Sequence, residues 1–155
     1  MSFNPYPSPD EVTIGFLRLA VSAVVWNEQG QFLLHQRGDN GYWGLPGGGV
    51  EQGETIAAAV QREVWEETGY TIAITRLVGV YSDPEKFQVI QYPDGNVVHY
   101  VTVAFEATVT GGEATLCDET LAIAWVSPDA LPEPFVPAHH IRLRDTLAHQ
   151  EAAFF

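Results

Sequence analysis

GGGVEQGETIAAAVQREVWEETGY, running from Gly47 to Tyr70, decides how this chain is read. A run of three glycines gives way to a stretch of good helix formers, and Gly69 stands where a helix would stop. Apolar residues recur one turn apart at Ile56, Val60 and Val64, so the spacing predicts a helix over Thr55–Thr68 with that stripe facing a core. With a helix advancing about 100° per residue, Glu63, Glu66 and Glu67 fall on an arc roughly 100° wide that borders and slightly overlaps the stripe. The carboxylates are therefore expected at the rim of the buried face.

Placing them there has a cost. Like charges three or four positions apart destabilise a helix by a few tenths of a kcal/mol each, and by more where burial lowers the dielectric. Arg62 is the one basic residue inside the helix, so pairing within it cannot neutralise three glutamates. Two readings stay open on charge alone. A hard divalent cation such as Mg²⁺ or Mn²⁺ would offset the repulsion, because it prefers several carboxylate oxygens on one rigid element. A solvated acidic face paired with basic residues elsewhere would do so more loosely.

Outward from this stretch, the upstream segments Leu17–Trp26 and Gln31–Arg37 read as two strands of a hairpin turning at Asn27–Gly30. The glycine-rich connection that follows admits only a short strand at Trp43–Leu45. Downstream, TIAITRLVGVYS (71–82) and VVHYVTVAFEATVT (97–110) are rich in β-branched and aromatic residues, with turn chemistry at Tyr92-Pro93-Asp94-Gly95 between them. A short strand, LAIAWVS (121–127), and a closing helix around Ala138–Glu151 complete the order. Strands, helix, strands, helix, without repeats, predict an α+β fold with a central mixed sheet flanked by helices. Residues 1–12, with Pro5, Pro7 and Pro9, are expected to form an extended, partly mobile arm, and residues 13–155 one domain.

Composition narrows the function. The chain has 155 residues, 20 acidic against 7 basic side chains and a formal charge of -13, which argues against duplex nucleic acid or an anionic membrane as partner. A small anionic substrate remains compatible if metal ions supply local positive charge. Cys117 is the only cysteine, so neither an intrachain disulfide nor a thiolate metal cluster can form. No signal-like start and no window approaching a membrane helix are present, and a cytoplasmic location is expected.

Gly48, five residues, Glu54, seven residues, then Arg62-Glu63-Val64-Trp65-Glu66-Glu67-Thr68-Gly69-Tyr70 resembles the Nudix box of the Nudix hydrolase family, with every fixed letter at its spacing. Tyr70 departs from it, standing where the family has an aliphatic residue. The resemblance implies an αβα sandwich and a metal-dependent enzyme that cleaves the pyrophosphate linkage of a nucleoside diphosphate joined to another moiety. It further implies that Glu63, Glu66 and Glu67 bind Mg²⁺ or Mn²⁺, with the carbonyl of Gly47 as a further ligand. Glu54 and Arg62 would form the structural ion pair that ties loop to helix. Gly47, Gly48 and Gly49 admit positive φ and close backbone approach. The resemblance also allows a homodimer, for which Trp65 is one candidate contact.

In the reaction so implied, metals neutralise the pyrophosphate and activate water. Glu66 or Glu67 would orient that water. Of Asp118 and Glu119, in the loop before the last predicted strand, Glu119 is the candidate general base or additional metal ligand. Tyr42 and Trp43 stand where they would stack on a base or pack beneath the sheet. Arg18, Gln36, Arg37 and Lys86 are candidate phosphate or sugar contacts, each equally placed to be a surface residue. His99, His139 and His140 have no metal-ligand spacing and are expected at the surface. Pro84 lies near the proline position of ADP-ribose pyrophosphatases, so an ADP-ribose or nucleotide-sugar type of substrate is favoured. The alternatives are (d)NTP pyrophosphohydrolysis of the pool-sanitising kind, a non-catalytic Nudix-fold nucleotide sensor, and a structural protein with an acidic helix.

Overall fold

A computed structural model describes residues 3–151 and 153–154, the last two by backbone pairing only. The strands are β1 (Phe16–Trp26), β2 (Phe32–Arg37), β3 (Trp43–Gly44), β4 (Gly47–Gly49), β5 (Tyr70–Tyr81), β6 (Val89–Gln91), β7 (Val97–Gly112), β8 (Thr120–Val126) and β9 (Ala153–Phe154). The helices are α1 (Ile56–Thr68) and α2 (Pro137–Leu147). The strands make one mixed sheet in which β1 runs parallel to β7 from Phe16↔Val98 to Trp26↔Thr108, and β5 pairs antiparallel with β7.

Strand β1 shows why the sheet has a helix on each side. Its residues alternate between two cores: Val21, Ala23 and Val25 pack with Ala59, Val60 and Val64 of α1, whereas Val24 packs with Phe32, Leu34, Leu45 and Leu143 of α2. A strand covered on both faces needs a near-continuous apolar run, and LAVSAVV supplies one interrupted only by Ser22. The result is the expected αβα sandwich.

Local signals fix α1. The Thr55 hydroxyl accepts the Ala58 N–H at 3.1 Å, capping the first turn, and Gly69 closes the last with φ 81° while donating to the Trp65 carbonyl. Ile56, expected in the buried stripe, is 37% exposed, and Ala59 takes its place beside Val60 and Val64 in the core.

Four expectations are corrected. The upstream pair is a hairpin at one position only, Trp26↔Phe32; beyond it β1 turns to β4 and β7, while β2 pairs with β8 and β3. The glycine run is strand β4, held against Ala20–Ser22, and none of its three residues has positive φ. The closing helix ends at Leu147, with His149 in the left-handed region just beyond. The proline-rich start lies against the body: Pro5 and Pro7 are buried, the Pro5 carbonyl accepts the Gln91 N–H at 3.0 Å, and Tyr6 meets Tyr42 edge to face. Among the described residues no helix is long and apolar enough to cross a membrane.

Candidate active site

Where β1 and β2 part, a cleft of about 550 Å³ opens. Glu63 and Glu67 reach it from α1, Arg18 from β1, Arg37 from the end of β2, Gly47–Gly49 from β4, and Asp118 and Glu119 from the loop before β8.

The box residues form a strapped unit. Arg62 holds Glu54 with two hydrogen bonds, Nη2 to Oε1 at 2.6 Å and Nε to Oε2 at 3.1 Å, and also reaches the Gly49 carbonyl at 3.0 Å. Hydrogen bonding to Arg62 holds the Glu54 carboxyl below the usual carboxylate range, and the same bonds raise Arg62. The remaining terminal nitrogen of Arg62 touches Glu63 at 2.9 Å and Glu66 at 3.1 Å. One cation thus serves Glu54, Glu63 and Glu66.

Glycine is required at β4 by close approach rather than by torsion. A Cβ on Gly47 would strike the Val21 carbonyl, one on Gly48 would lie 2.5–2.7 Å from the Glu63 carboxylate, and one on Gly49 would meet the Arg18 guanidinium at 2.5–2.8 Å. The Gly47 N–H donates to Glu67 Oε1 at 2.7 Å.

The three helix glutamates are not equivalent. Glu67 is 7% exposed, and burial, opposed by the Gly47 hydrogen bond and reinforced by the charge of Glu63, pushes its carboxyl up to about 8. Glu63 is half-buried and also raised, by burial first, with Arg62 opposing and Glu66 and Glu119 adding. Glu66 is exposed and turned onto Arg62. Two carboxylates that resist ionising, beside the half-buried backbone of β4 and the acidic pair Asp118 and Glu119, are a hard oxygen donor set suited to a divalent cation. In this arrangement no three acidic or histidine side chains among the described residues converge on one point, since Arg62 holds Glu63 and Glu66.

Of the other sequence candidates, Arg18 and Arg37 line the cleft; Arg37 is gripped by Asp39 through hydrogen bonds of 3.0 and 2.8 Å, and Arg18 has no carboxylate partner among the described residues. Trp43 packs with the α2-side core, and Tyr42 lies against Tyr6. Gln36 donates to the Gly41 carbonyl. Lys86 sits in a short 3-10 turn, Pro84–Lys86, off the cleft wall, whereas its neighbour Phe87 lines the cleft. Trp65 is 59% exposed.

His139 corrects the expectation of a surface histidine: it is buried, and its Nδ1 accepts the Leu45 N–H at 2.9 Å. Burial, then the charge of Arg142, holds it well below the usual histidine range, hence neutral. His140 is exposed and His99 half-buried. Sequence reading missed His35, Gln88, Thr102 and Arg142, all cleft residues; Thr102 is a polar residue within an otherwise apolar stretch of strand, whereas Arg142, on a helix rich in polar residues, gave no signal.

The model of the NUDIX domain matches residues 16–147. A MutT-like protein of Streptomyces ambofaciens is 36% identical over 140 residues, covering 90% of this chain and 83% of its own. A putative 8-oxo-dGTP diphosphatase of Bacillus subtilis (strain 168) is 40% identical over 124 residues, covering 79% and 74%. The crystal structure of an ADP-ribose pyrophosphatase from Streptococcus suis superposes with a TM-score of 0.68 at 26% identity, over 89% of this chain and 98% of that one. With its sequence pattern, sandwich and glutamate-lined cleft, the chain belongs to the NUDIX family and is a Nudix hydrolase, an enzyme of nucleotide pyrophosphate bonds.

Proposed function

We propose that this enzyme hydrolyses, with Mg²⁺ or Mn²⁺, the pyrophosphate linkage of a nucleoside diphosphate joined to a second moiety, of the nucleotide-sugar or ADP-ribose type. The observation that carries the reading is the pairing of Glu67, buried with a raised carboxyl, and Glu63, at the Gly47–Gly49 strand inside a cleft roomy enough for a nucleotide. Glu63, Glu66, Glu67 and the Gly47 carbonyl would hold the metal, which when bound supplies charge neutralisation of the pyrophosphate and a more acidic water.

The protein's own groups divide the remaining work. Arg18, exposed at the cleft wall and without a carboxylate partner among the described residues, binds phosphate oxygens. Glu119 accepts a proton from the attacking water, a role consistent with its exposure and with its charge being felt at both Glu63 and Glu67. Arg62 and Glu54 position the helix against β4 and touch no substrate.

A second reading, pyrophosphohydrolysis of (d)NTPs, is favoured by the likeness to the Bacillus subtilis protein. Phosphate release, after a coupled phosphatase or pyrophosphatase step, from a panel of ADP-ribose, nucleotide sugars, dinucleoside polyphosphates and (d)NTPs tests both. Turnover that requires metal and stops with EDTA is expected for one group. Silence across the panel from folded, metal-binding protein would instead make the chain a nucleotide sensor.

A further inference from the structure

On the α2 side of the cleft the wall contains a buried cation with no counter-ion. Arg142 is 6% exposed, and among the described residues no carboxylate lies within ion-pair distance of it. Its hydrogen bonds go to neutral oxygens, Nη1 to Ser22 Oγ at 3.3 Å and Nη2 to Gln88 Oε1 at 2.9 Å, while Nε has no partner. Asp145, the acidic residue nearest in sequence on the same helix, is engaged instead by the Tyr81 hydroxyl at 2.8 Å and by Arg144. The Tyr81 ring, 5.8 Å from the guanidinium, offers only its face.

A charge in this position is expensive unless something pairs with it, and its own acidity records the expense: burial lowers Arg142 to about 10. The surroundings hold it in place all the same. The Gln88 amide nitrogen, with two N–H groups shared among the Tyr81 carbonyl at 3.0 Å, the Tyr100 carbonyl at 2.9 Å and Thr102 Oγ1 at 3.1 Å, faces only acceptors, so Oε1 turns to Arg142. Of the five N–H groups of a guanidinium, two are therefore spoken for, and one on each terminal nitrogen remains. Arg142, Gln88 and Thr102 all line the cleft that Glu63 and Glu67 enter from the opposite helix.

The chemistry of this end differs from that of the glutamate end. Leu45, Val136, Ala138 and neutral His139 form the neighbouring wall, and Phe87, 43% exposed, adds an aromatic face. Apolar and aromatic surface beside an arginine fixed by neutral side chains suits a flat heterocycle.

We propose that Arg142, held by Gln88 and Ser22, selects the base of the substrate by donating to a ring carbonyl, so that bases with a keto group at purine position six or pyrimidine position four are taken in preference to their amino counterparts. A carbonyl oxygen accepts from the unclaimed N–H groups and disperses the buried charge; an exocyclic amine at the same place presents donor to donor. This rests on the cleft being the nucleotide site, and it chooses within that class: guanine-, hypoxanthine- or uracil-bearing nucleotide sugars are favoured, and ADP-ribose, which bears adenine, is disfavoured.

Binding of inosine 5′-monophosphate and adenosine 5′-monophosphate to the full chain, followed by calorimetry in EDTA, tests it without metal or turnover. The hydrolase reading stands or falls separately on the metal-dependent release described above. Inosine monophosphate is expected to bind at least about ten-fold more tightly, the order of discrimination one arginine-to-carbonyl contact provides. Arg142→Lys, which keeps charge but loses the planar fork, is expected to erase the preference. Equal or reversed affinities in the unaltered protein, no binding of either nucleotide at millimolar concentration, a preference that survives in folded Arg142→Lys, or ribose 5-phosphate binding as tightly as inosine monophosphate would each overturn the proposal. Should Arg142→Lys fail to fold, uridine against cytidine monophosphate on the unaltered protein supplies the second comparison, and the keto base must again win.

Discussion

Glu67 Oε2 and His35 Nε2 face each other at 3.5 Å in the wall of the cleft, both side chains nearly closed to solvent. The contact has the geometry of an ion pair, yet burial drives both partners towards neutrality, Glu67 up to about 8 and His35 down to about 4. Hydrogen bonds from Gly47 to Glu67 and at Leu45 for His35 oppose this, and burial outweighs them; the Thr120 hydroxyl sets the histidine tautomer. Thr120 Oγ1 gives its single proton to the Glu67 carbonyl at 3.1 Å, so at 3.3 Å it accepts from His35 Nδ1–H, which leaves Nε2 bare. A bare Nε2 is matched by a protonated Glu67 rather than by a carboxylate.

Stability of the metal-free protein should carry the mark of this pair. Glu67, raised from 4.5, favours the folded state at low pH and loses that contribution as pH climbs to about 8. His35, lowered from 6.5, acts in the other direction: its contribution is present above 6.5 and is lost as pH falls to about 4. Between 4.5 and 6.5 the two slopes oppose, and from 6.5 to 8 only the Glu67 decline remains, at no more than about 1.4 kcal/mol per pH unit. Thermal unfolding in EDTA should therefore show a falling Tm from pH 6.5 to 8, and Glu67→Gln should flatten it. A Tm that rises through that window would mean Glu67 is ionised in the folded protein.

Gly48 leaves room for the Glu63 carboxylate, and Gly48→Ala would drive a methyl group to within 2.5–2.7 Å of it. The obstacle is the end of a side chain, so Glu63 moves rather than the fold. The expected outcome is a metal requirement raised about 10–100-fold, the scale on which misplaced supporting groups act, with Tm almost unchanged. Titration of activity against Mg²⁺ checks it.

How far these features could be read from the chain depends on how local they are. Helix α1 was legible because its cap at Thr55, its stop at Gly69 and its glutamates all lie within one short stretch. The same periodicity could not say which glutamate faces inwards: Glu66 and Glu67 are neighbours on the arc, and only the position of β4 and β2 buries Glu67 and leaves Glu66 in solvent. The apparent hairpin failed for a similar reason. The turn at Asn27–Gly30 is real, but the true partner of β1 is β7, a parallel strand brought alongside from far down the sequence, and turn chemistry carries no information about it. His139 and Arg142 look like surface residues of a polar helix, and become walls of the cleft only once α2 is laid across Ser22 and Leu45.

Arg62 is a positioning residue, and its replacement should separate geometry from charge. Arg62→Lys keeps a cation near Glu54 but loses the double hydrogen bond and the reach to the Gly49 carbonyl. The strap between α1 and β4 would slacken, freeing Glu63 and Glu66 as well. Activity at saturating Mg²⁺ is expected to fall by about 10–100-fold with a modest loss of Tm, because the pair is partly open to solvent and screened. If Arg62→Lys keeps full activity, the strap does not position the glutamates.

Glu66 offers the sharpest test of catalysis against structure, because it contributes little to the fold. Its side chain is 49% exposed and among the described residues its one partner is Arg62, itself held by Glu54, so Glu66→Gln should leave stability within about 0.5 kcal/mol. Turnover should nevertheless drop about 10²–10⁴-fold if its carboxylate takes metal or orients water, whereas the Arg62 contact could be kept by an amide oxygen. Glu119→Gln is the companion variant: also exposed, it should lower turnover by a similar factor and remove the acidic limb of the pH profile if it is the base. Unfolding of Glu66→Gln would point to a structural role for the acidic helix. Retained turnover in that variant, with loss in Glu119→Gln, would move the work on the attacking water to the loop before β8.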